Sequence, residues 1–235
     1  MAVSTFTGRR LEPMREAGIS HARRMDHMYR YQRHFYDLTR KYYLFGRDTL
    51  IREMHPAPGA SVLEVGCGTG RNLALIGHCF PSARLFGLDI SQEMLTSADA
   101  KLNRGGKRRA ELQVADATDF DPKVFGERGF DHIVISYSLS MIPDWQKAID
   151  AAIAALNPGG SLHIADFGQQ ERLPTSFRRA LHGWLDRFHV TPRANLFDVL
   201  REKARENGAD LERRAIGRGY AWLAVYHRAA VAIAA

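Results

Sequence analysis

From residue 61 onward, short apolar runs alternate with amphipathic segments along the chain. Apolar runs of roughly four to eight residues, rich in β-branched side chains, are typical of strands that are buried on both faces. Five such runs predict strands: SVLEVG (61–66), RLFGLD (84–89), ELQVAD (111–116), FDHIVISYSL (130–139) and SLHIADF (161–167). Between them, helices are predicted after the glycines to about His78, over 91–102 and over 144–156, the last closed by an NPGG turn at 157–160. Alternating strands and helices predict a parallel sheet with right-handed crossovers.

The last apolar stretch, LERRAIGRGYAWLAVYHR (211–228), has the pattern of two strands joined at GRG. This connection is too short for a helical crossover, so an antiparallel hairpin at the sheet edge is predicted. The fold class expected is therefore α/β, with a Rossmann-like, doubly wound and mostly parallel sheet of about seven strands. A C-terminal antiparallel edge hairpin and a helical N-terminal cap complete it.

The flanks of this core are predicted to be helical. Apolar residues of 28–45 form one stripe at helical spacing, and Tyr29, Tyr36 and Tyr43 repeat every seven residues on a neighbouring face. In 176–189, an apolar face is surrounded by arginine and histidine, and Thr191-Pro192 suits the start of a further helix that Gly208 ends. We expect a helical N-terminal cap (1–55), a core (56–170), and a helical cap segment with the closing hairpin (171–235) of the same domain.

Composition and charge narrow the class of protein. With 235 residues, 45% apolar and 25% charged, the chain is long enough for a sizeable core, and its two cysteines are too few for a disulfide framework. A reducing cytoplasmic compartment is the default expectation. The formal charge of +7 is uneven, because residues 56–170 carry 10 basic and 13 acidic side chains while both flanks carry a basic excess. An anionic partner is therefore expected at the flanks.

Three alternating glycines follow the first predicted strand. Gly66, Gly68 and Gly70 give G-x-G-x-G, whereas a dinucleotide fingerprint is G-x-G-x-x-G, and Arg71 stands where its last glycine would be. Glu64 weakens a pyrophosphate interpretation further, because a carboxylate repels phosphates but suits a cationic amine. Ligands of an open α/β sheet bind beyond the carboxyl ends of its strands, where glycines allow close approach of the backbone.

Two more carboxylates end neighbouring strands of this predicted sheet. Asp89 ends the second strand, where a carboxylate can accept from both hydroxyls of a ribose, and Asp116 ends the third, where it can accept from an adenine amino group. Each alone could be a helix cap. Together with Glu64, they predict a ligand with a ribose, an adenine and a cationic amine, and without phosphate.

The glycine loop and these carboxylates resemble those of the class I S-adenosylmethionine-dependent methyltransferases over residues 60–168. The resemblance rests on E-x-G-x-G-x-G, the ribose-position Asp89 and the VAD end of strand three. It implies S-adenosylmethionine as methyl donor, S-adenosylhomocysteine as product, and no metal. The donor-binding residues that it implies are Tyr42, Glu64, Gly66, Cys67, Gly68, Gly70, Asp89, Ile90, Met94, Asp116, Ala117 and Ser136.

A narrower resemblance covers residues 25–193. The stretches MDHMYRYQRHFYDLTRKYYLFGRD (25–48), SYSLSMIPDW (136–145), HIADFGQQERLP (163–174) and RFHVTPR (187–193) are similar to the diacylglyceryl-homoserine N-methyltransferases of betaine-lipid synthesis. This resemblance implies three successive methyl transfers to the amine of a lipid-linked homoserine. The segment after residue 193 adds little to it.

The chemistry of this reaction suggests roles for the flanking aromatic and basic residues. Tyrosine faces stabilise a quaternary ammonium by roughly 0.5–2 kcal/mol, and an arginine can clamp a carboxylate of the substrate or of the donor. Plain packing of the aromatic stripe is the competing interpretation. The acceptor-site residues predicted are Tyr36, Tyr43 and Tyr137 as catalytic, and Tyr29, Arg33 and Arg40 as substrate-binding.

A lipid acceptor agrees with the basic amphipathic segment 176–189, which is typical of helices that lie on a membrane surface. We therefore expect a cytoplasmic protein, peripheral on the inner face of an anionic membrane. The position after strand four reads SYSLSMIPDW and lacks the [D/N/S]-P-P-[Y/F] motif of base methyltransferases, so no nucleic-acid partner is expected. The alternatives left open are a phosphatidylethanolamine N-methyltransferase, a quinone or small-molecule methyltransferase, and a non-catalytic binding module. Oligomeric state is left open.

Overall fold

Seven strands form a single sheet in a computed structural model of the chain, which describes residues 44–104, 109–188 and 190–230. The strands are β1 (Ser61–Val65), β2 (Arg84–Asp89), β3 (Ala110–Val114), β4 (Phe130–Ser136), β5 (Leu156–Phe167), β6 (Asp210–Ile216) and β7 (Ala221–His227). Their order across the sheet is β3-β2-β1-β4-β5-β7-β6. Strands β1 to β5 are parallel, and β7 lies antiparallel between β5 and β6. The predicted fold class is confirmed.

Helices cover both faces of this sheet. Those that the described residues form are α1 (Arg47–Arg52), α2 (Arg71–Cys79), α3 (Gln92–Leu102), α4 (Trp145–Ala154), α5 (Thr175–Arg187) and α6 (Leu196–Asn207), together with a 3₁₀ turn at Pro122–Phe125. None of the helices within these ranges is long and apolar enough to cross a membrane.

The hydrophobic core lies on both sides of the sheet because successive side chains of a strand point to opposite faces. Ile133 packs in a cluster with α4 and α6, whereas the next residue, Val134, packs in a cluster with α2 and α3. A third cluster, on the face of Val134, joins α1 and α5 to the carboxyl half of β5 and to β7. All five residues of β1 are buried, as expected of a central parallel strand.

The closing hairpin has the predicted form. Strands β6 and β7 pair in antiparallel register from Asp210 opposite His227 to Ile216 opposite Ala221. The turn between them contains Gly217 at φ 57° and Gly219 at φ 85°, values that favour glycine. The hairpin extends the same sheet as β1 to β5. The division of the chain at residues 55 and 170 stays a prediction.

One helix start was predicted wrongly. Helix α6 begins at Leu196 and not at Thr191-Pro192, although Gly208 ends it at φ 59° as expected. The Thr191 amide donates to the Ser140 carbonyl at 2.9 Å, and Arg193 donates to the carbonyls of Leu139 and Ile142. These bonds hold 191–193 as an extended segment against the loop after β4.

The predicted NPGG turn forms inside a strand. Strand β5 begins at Leu156, which pairs with Phe130, but the next pair is His132 with Ser161, so 157–160 bulge out of the ladder. Strand β3 ends at Val114, two residues before Asp116. The helical stripe predicted over 28–45 lies outside the described residues except for its last two positions, and α1 follows it directly.

Candidate functional site

The glycine loop after β1 turns sharply at the carboxyl edge of the sheet. Gly66, Gly68 and Gly70 have φ angles of 72°, 53° and 71°, a region that side chains with a Cβ rarely adopt. A Cβ on Gly66 would lie 2.5 Å from Ser138 Oγ, beyond the end of β4. Glycine is therefore needed at Gly66 both for the turn and for the close approach of the β4 loop.

Asp89 organises this loop from the end of β2. Its Oδ2 accepts from the Gly68 amide at 2.9 Å, and its Oδ1 accepts from the Ser91 amide at 2.9 Å. A carboxylate oxygen has two lone pairs, so each oxygen can accept a further bond, for example from a ribose hydroxyl. The half-buried Asp89 thus both fixes the loop and presents acceptors at its rim.

Glu64 is the buried carboxyl group of the site, only 2% exposed. Burial raises its pKa to about 8, although Asn72 Nδ2 donates to Oε1 at 2.6 Å and favours the charged form. Its buried Oε2 has no hydrogen-bond partner among the described residues. A buried carboxyl oxygen without a hydrogen-bond partner is costly. This atom therefore marks where a cationic group of a ligand fits.

Arg47 was not among the site residues predicted from the sequence. In the structure its side chain is buried, with 6% of it exposed. Arg47 begins α1, and its Nε lies 3.5 Å from Asp48 Oδ1. Burial raises the pKa of both Glu64 and Tyr137, and the charge of Arg47 opposes part of that rise. Asp48 in turn pairs with both terminal nitrogens of Arg71 at 2.8 and 3.1 Å. This pairing fixes α1 against the end of the glycine loop. No local pattern distinguishes Arg47 from the ten other basic residues of 1–55.

The residues predicted to enclose an adenine follow β2 and β3. Met94 is buried in the first turn of α3, which Ser91 caps by accepting from the Met94 amide. Ile90 and Ala117 are half-buried. Asp116 is exposed, and its Oδ1 accepts from the amide and the hydroxyl of Thr118, both at 2.8 Å. The carboxyl group is thereby oriented at the sheet edge, and its role toward adenine stays a prediction.

Tyr137 follows β4 in a left-handed conformation, with φ 56°. Its hydroxyl donates to the Phe45 carbonyl at 2.7 Å, and its ring meets the Phe167 ring edge-on at 4.8 Å. Burial raises the pKa of this phenol well above 10. Tyr137 is therefore neutral at physiological pH and cannot supply a phenolate base. Its catalytic role stays a prediction, limited to its ring and its neutral hydroxyl.

Several buried polar atoms, at the end of β4 and in the loops after β4 and β5, have no hydrogen-bond partner in the described part of the chain. They are Ser136 Oγ, Ser140 Oγ, Gln169 Nε2 and Gln170 Oε1. Gln170 also has a positive φ of 52°. Unsatisfied groups and backbone strain of this kind cluster at binding sites. Apart from Ser136, sequence reasoning did not single them out.

The fully buried Asp166 at the end of β5 belongs to the same edge. Burial raises its pKa to about 6, against the amides of Phe167 and Ser140, which donate to it at 2.7 and 3.1 Å. Its Oδ2 therefore holds the loop after β4 through Ser140, while its Oδ1 is occupied by the neighbouring Phe167 amide of β5. Cys67, predicted to line the donor site, is buried, and burial raises the pKa of its thiol well above 9, so it is an unreactive packing residue.

Six predicted site residues lie outside the described residues. They are Tyr29, Arg33, Tyr36, Arg40, Tyr42 and Tyr43. Their roles stay predictions. Within residues 44–104, 109–188 and 190–230, no group of three or more histidine, cysteine, aspartate or glutamate side chains is arranged to hold a metal ion.

Comparison with known proteins agrees with this geometry. Residues 62–160 match a family described as "Methyltransferase domain". The fold is also that of the plantazolicin methyltransferase BpumL, solved in complex with a triazolic desmethylPZN analog and SAH, with a TM-score of 0.65 at 14% identity over 91% of this chain and 99% of that one. Residues 62–160 are therefore similar in sequence to methyltransferase domains, and the chain has the Rossmann-like fold of such a protein.

Curated relatives share this domain with the chain. Demethylmenaquinone methyltransferase of Bacillus subtilis (strain 168) is 30% identical over 135 residues, which cover 57% of this chain and 56% of that protein. Trans-aconitate 2-methyltransferase of Variovorax paradoxus (strain S110) is 34% identical over 110 residues, 46% of this chain and 39% of that protein. The chain thus spans about half or less of the length of these relatives, and the similarity centres on the donor-binding core.

The residues present fit the donor. Glu64 offers an unpaired buried acceptor to its ammonium group, and the loop at Gly66 leaves room that a Cβ would fill. The resemblance to class I methyltransferases that the glycine loop predicts is confirmed, without the narrower resemblance to the betaine-lipid enzymes.

Proposed function

We propose that this chain is a methyltransferase that uses S-adenosylmethionine to methylate the amine of diacylglyceryl-homoserine three times, giving a trimethylated betaine lipid. The observation that carries the donor assignment is the buried Glu64 Oε2, unpaired beside a glycine loop that Asp89 braces. The acceptor assignment is supported by the four stretches between residues 25 and 193 that are similar to the betaine-lipid enzymes.

Different residues of the chain would bind different parts of the donor. Glu64 would accept from its ammonium group, and the buried Arg47 would donate to its carboxylate. The roles of Arg33 and Arg40 stay predictions. Asp89 accepts from the ribose hydroxyls, and Asp116 from the adenine amine. When bound, the donor supplies an electrophilic methyl group on a sulfonium sulfur.

The acceptor amine must reach this methyl group in its deprotonated form. Alignment of the two reactants supplies several kcal/mol of the barrier, so a strong base is not required. This agrees with the neutral Tyr137, whose ring can stabilise the growing positive charge on nitrogen by about 0.5–2 kcal/mol. Gln169 Nε2 and Gln170 Oε1, buried and without a partner among the described residues, support a site for the acceptor headgroup beyond β5.

A quinone ring is the second acceptor that an observation favours. The demethylmenaquinone methyltransferase of Bacillus subtilis is 30% identical over 135 residues. Because that match covers 57% of this chain and centres on the donor core, it bears mainly on the donor. A phosphatidylethanolamine amine remains a further alternative with the same demands on the site. All three acceptors are lipids, so the proposal includes a cytoplasmic protein that is peripheral on the inner face of the membrane.

Methylation of defined lipids tests this proposal. The purified chain is incubated with methyl-labelled donor and, in separate detergent-dispersed samples, with homoserine lipid, phosphatidylethanolamine or demethylmenaquinone, and the products are read by mass. We expect gains of one, two and three methyl groups on the homoserine lipid alone. Addition of a single methyl group to demethylmenaquinone would instead show that the acceptor is the quinone and not the amine. Labelled product with none of the three would overturn the lipid assignment.

A further inference from the structure

The first half of helix α5 is exposed in the part of the chain that the structure describes. Leu185 is the only residue of α5 that is buried among the described residues, and every residue of 174–180 is exposed. Phe177, a large apolar side chain, is 50% exposed. Nothing in the described part of the chain covers this end of the helix.

An apolar stripe connects this exposed end to the core. Phe177, Leu181, Trp184 and Phe188 fall on one side of α5 at helical spacing. Leu181, Trp184 and Phe188 are partly buried against the cluster that contains Leu185 and Phe167 at the end of β5. The stripe therefore starts beside the candidate site and ends in solvent at Phe177.

Basic residues surround the exposed end. Residues 171–179 contain Arg172, Arg178 and Arg179 against a single acid, Glu171. The first turn of α5 has no acidic residue and no side-chain cap. Arginines next to a helix N-terminus are repelled by the helix dipole. An anion bound at this end would relieve that repulsion and satisfy the free amides of the first turn.

We propose that the exposed first two turns of α5 dock the protein on an anionic lipid surface, with Phe177 inserted among the headgroups and Arg178 and Arg179 paired with lipid anions. The inference rests on the proposed function, since each of the acceptors named there is a lipid. Exposed apolar and basic side chains on one helix end match the chemistry of such an interface. The apolar stripe then leads from the bilayer to the loops after β4 and β5.

Vesicle sedimentation with the full chain tests the docking surface. We expect binding to vesicles of phosphatidylcholine and phosphatidylglycerol, weakened by salt, and no binding to phosphatidylcholine alone. Each arginine near an anionic surface contributes about fivefold in affinity, so R178Q/R179Q is expected to bind about 25-fold more weakly. The matched control is R201Q/R205Q, which removes the same charge from exposed positions of α6 on the opposite face of the sheet. Equal binding by the two double variants would overturn the proposal.

Thiol labelling distinguishes the lipid from other occupants of this surface. In F177C, modification at residue 177 is followed by peptide mass, with the native Cys67 and Cys79 as internal references. We expect rapid modification in solution and protection by anionic vesicles. Protection without vesicles would assign the surface to residues 1–43 or to a second copy, and would overturn the proposal.

Methylation of detergent-dispersed lipid separates this inference from the proposed function. Arg178 and Arg179 are not among the residues proposed to bind the donor or the acceptor, so R178Q/R179Q should keep wild-type activity on dispersed acceptor and lose activity on vesicles. If the wild-type protein does not bind vesicles but methylates dispersed lipid, the docking inference is wrong and the proposed function stands. Loss of activity on every dispersed lipid defeats the proposed function instead.

Discussion

Glu64 is a single residue that couples proton binding to ligand binding. Its carboxyl has a pKa raised to about 8 by burial, so it is mostly protonated at pH 7 in the free protein. A cationic amine placed at Oε2 favours the charged form and lowers this pKa. Donor binding at pH 7 must therefore release the proton.

We predict that binding of S-adenosylhomocysteine at pH 7 releases about 0.9 proton per chain from Glu64, the fraction protonated for a pKa of about 8. Calorimetric titrations in buffers of different ionisation enthalpy measure this number. In E64Q the release should vanish and the affinity should fall about tenfold or more, because a charged hydrogen bond is lost. A wild-type binding enthalpy that is the same in all buffers contradicts the role of Glu64.

Gly66 offers a test of the close approach between the glycine loop and β4. Alanine at Gly66 must adopt a positive φ and also meet Ser138, whereas alanine at Gly59, with φ 82° and nothing within 4 Å, meets only the backbone strain. We expect G66A to lower the free energy of unfolding by about 2–4 kcal/mol and G59A by about 1 kcal/mol. Chemical denaturation measures both. Adding S138G to G66A should recover the difference, and equal losses in G66A and G59A would show that the contact is absent.

His163 predicts how stability depends on pH. It is buried in β5, where its Nε2 lies 2.8 Å from Ser161 Oγ and 3.3 Å from His132 Nδ1. Burial lowers its pKa from 6.5 to about 3, with the neighbouring His132 adding to the effect. The unfolded chain therefore binds this proton more readily, and stability falls as pH drops below about 6.5.

Between pH 7.5 and pH 5, His163 should account for a loss of about 2 kcal/mol in the free energy of unfolding. Denaturant titrations at the two pH values measure this loss. H163Q should remove it, whereas H78Q, at an exposed position of α2, should leave it unchanged. A pH dependence that is identical in H163Q and wild type would contradict the neutral buried state.

At the scale of elements, α1 brings a buried charge to the glycine loop. Arg47 begins this helix, and the adjacent Asp48 pairs with Arg71 at the start of α2. The pair is half-exposed, so it contributes little to stability, in the range of about 0–1 kcal/mol. Its effect is positional, because it sets α1 against the loop and Arg47 beside Glu64.

We predict that R47M binds S-adenosylhomocysteine about 10–100-fold more weakly, since it loses a charge-assisted bond to the ligand carboxylate. Its affinity for 5′-methylthioadenosine, which lacks the amino and carboxyl groups, should equal that of the wild type. Calorimetry on both ligands gives the comparison, and R52M, at an exposed position of the same helix, is the control. Equal weakening toward both ligands would mean that Arg47 supports the fold and not the carboxylate.

The strands could be predicted closely from sequence because each is an apolar run bounded by turn residues. The second strand was placed at 84–89, the bounds that β2 has, and the hairpin followed from the short GRG connection. The start of α6 could not be predicted from sequence, since Thr191-Pro192 has good local signals for a helix start. Tertiary hydrogen bonds from this segment to the carbonyls of Ser140, Leu139 and Ile142 override them.

At the scale of the whole molecule, the donor side was more predictable than the acceptor side. Glu64, Asp89 and the glycines stand in a fixed order along a sheet whose topology follows from the strand pattern, so their meeting at one edge could be inferred. The position of Arg47 at this edge could not be inferred, because its burial depends on how α1 packs across strands distant in sequence. The same holds for Gln169 and Gln170, whose unsatisfied atoms appear only once β5 and β7 are paired.

The acceptor question belongs to the whole chain. The donor core lies within residues 62–160, whereas the basic excess and the exposed end of α5 lie in the flanks. A donor core of this kind serves many acceptors, so the flanks must select among them. The four stretches between residues 25 and 193 support a lipid as the acceptor, and the exposed basic and apolar end of α5, which follows the loop after β5, agrees with it.

Titration calorimetry of the purified full chain with S-adenosylhomocysteine and, separately, with NADH tests the central claim most directly. The account predicts saturable heat with S-adenosylhomocysteine at one site per chain and none with NADH, because Glu64 and the G-x-G-x-G loop suit a cationic amine and not a pyrophosphate. Saturable heat with NADH and none with S-adenosylhomocysteine would contradict it.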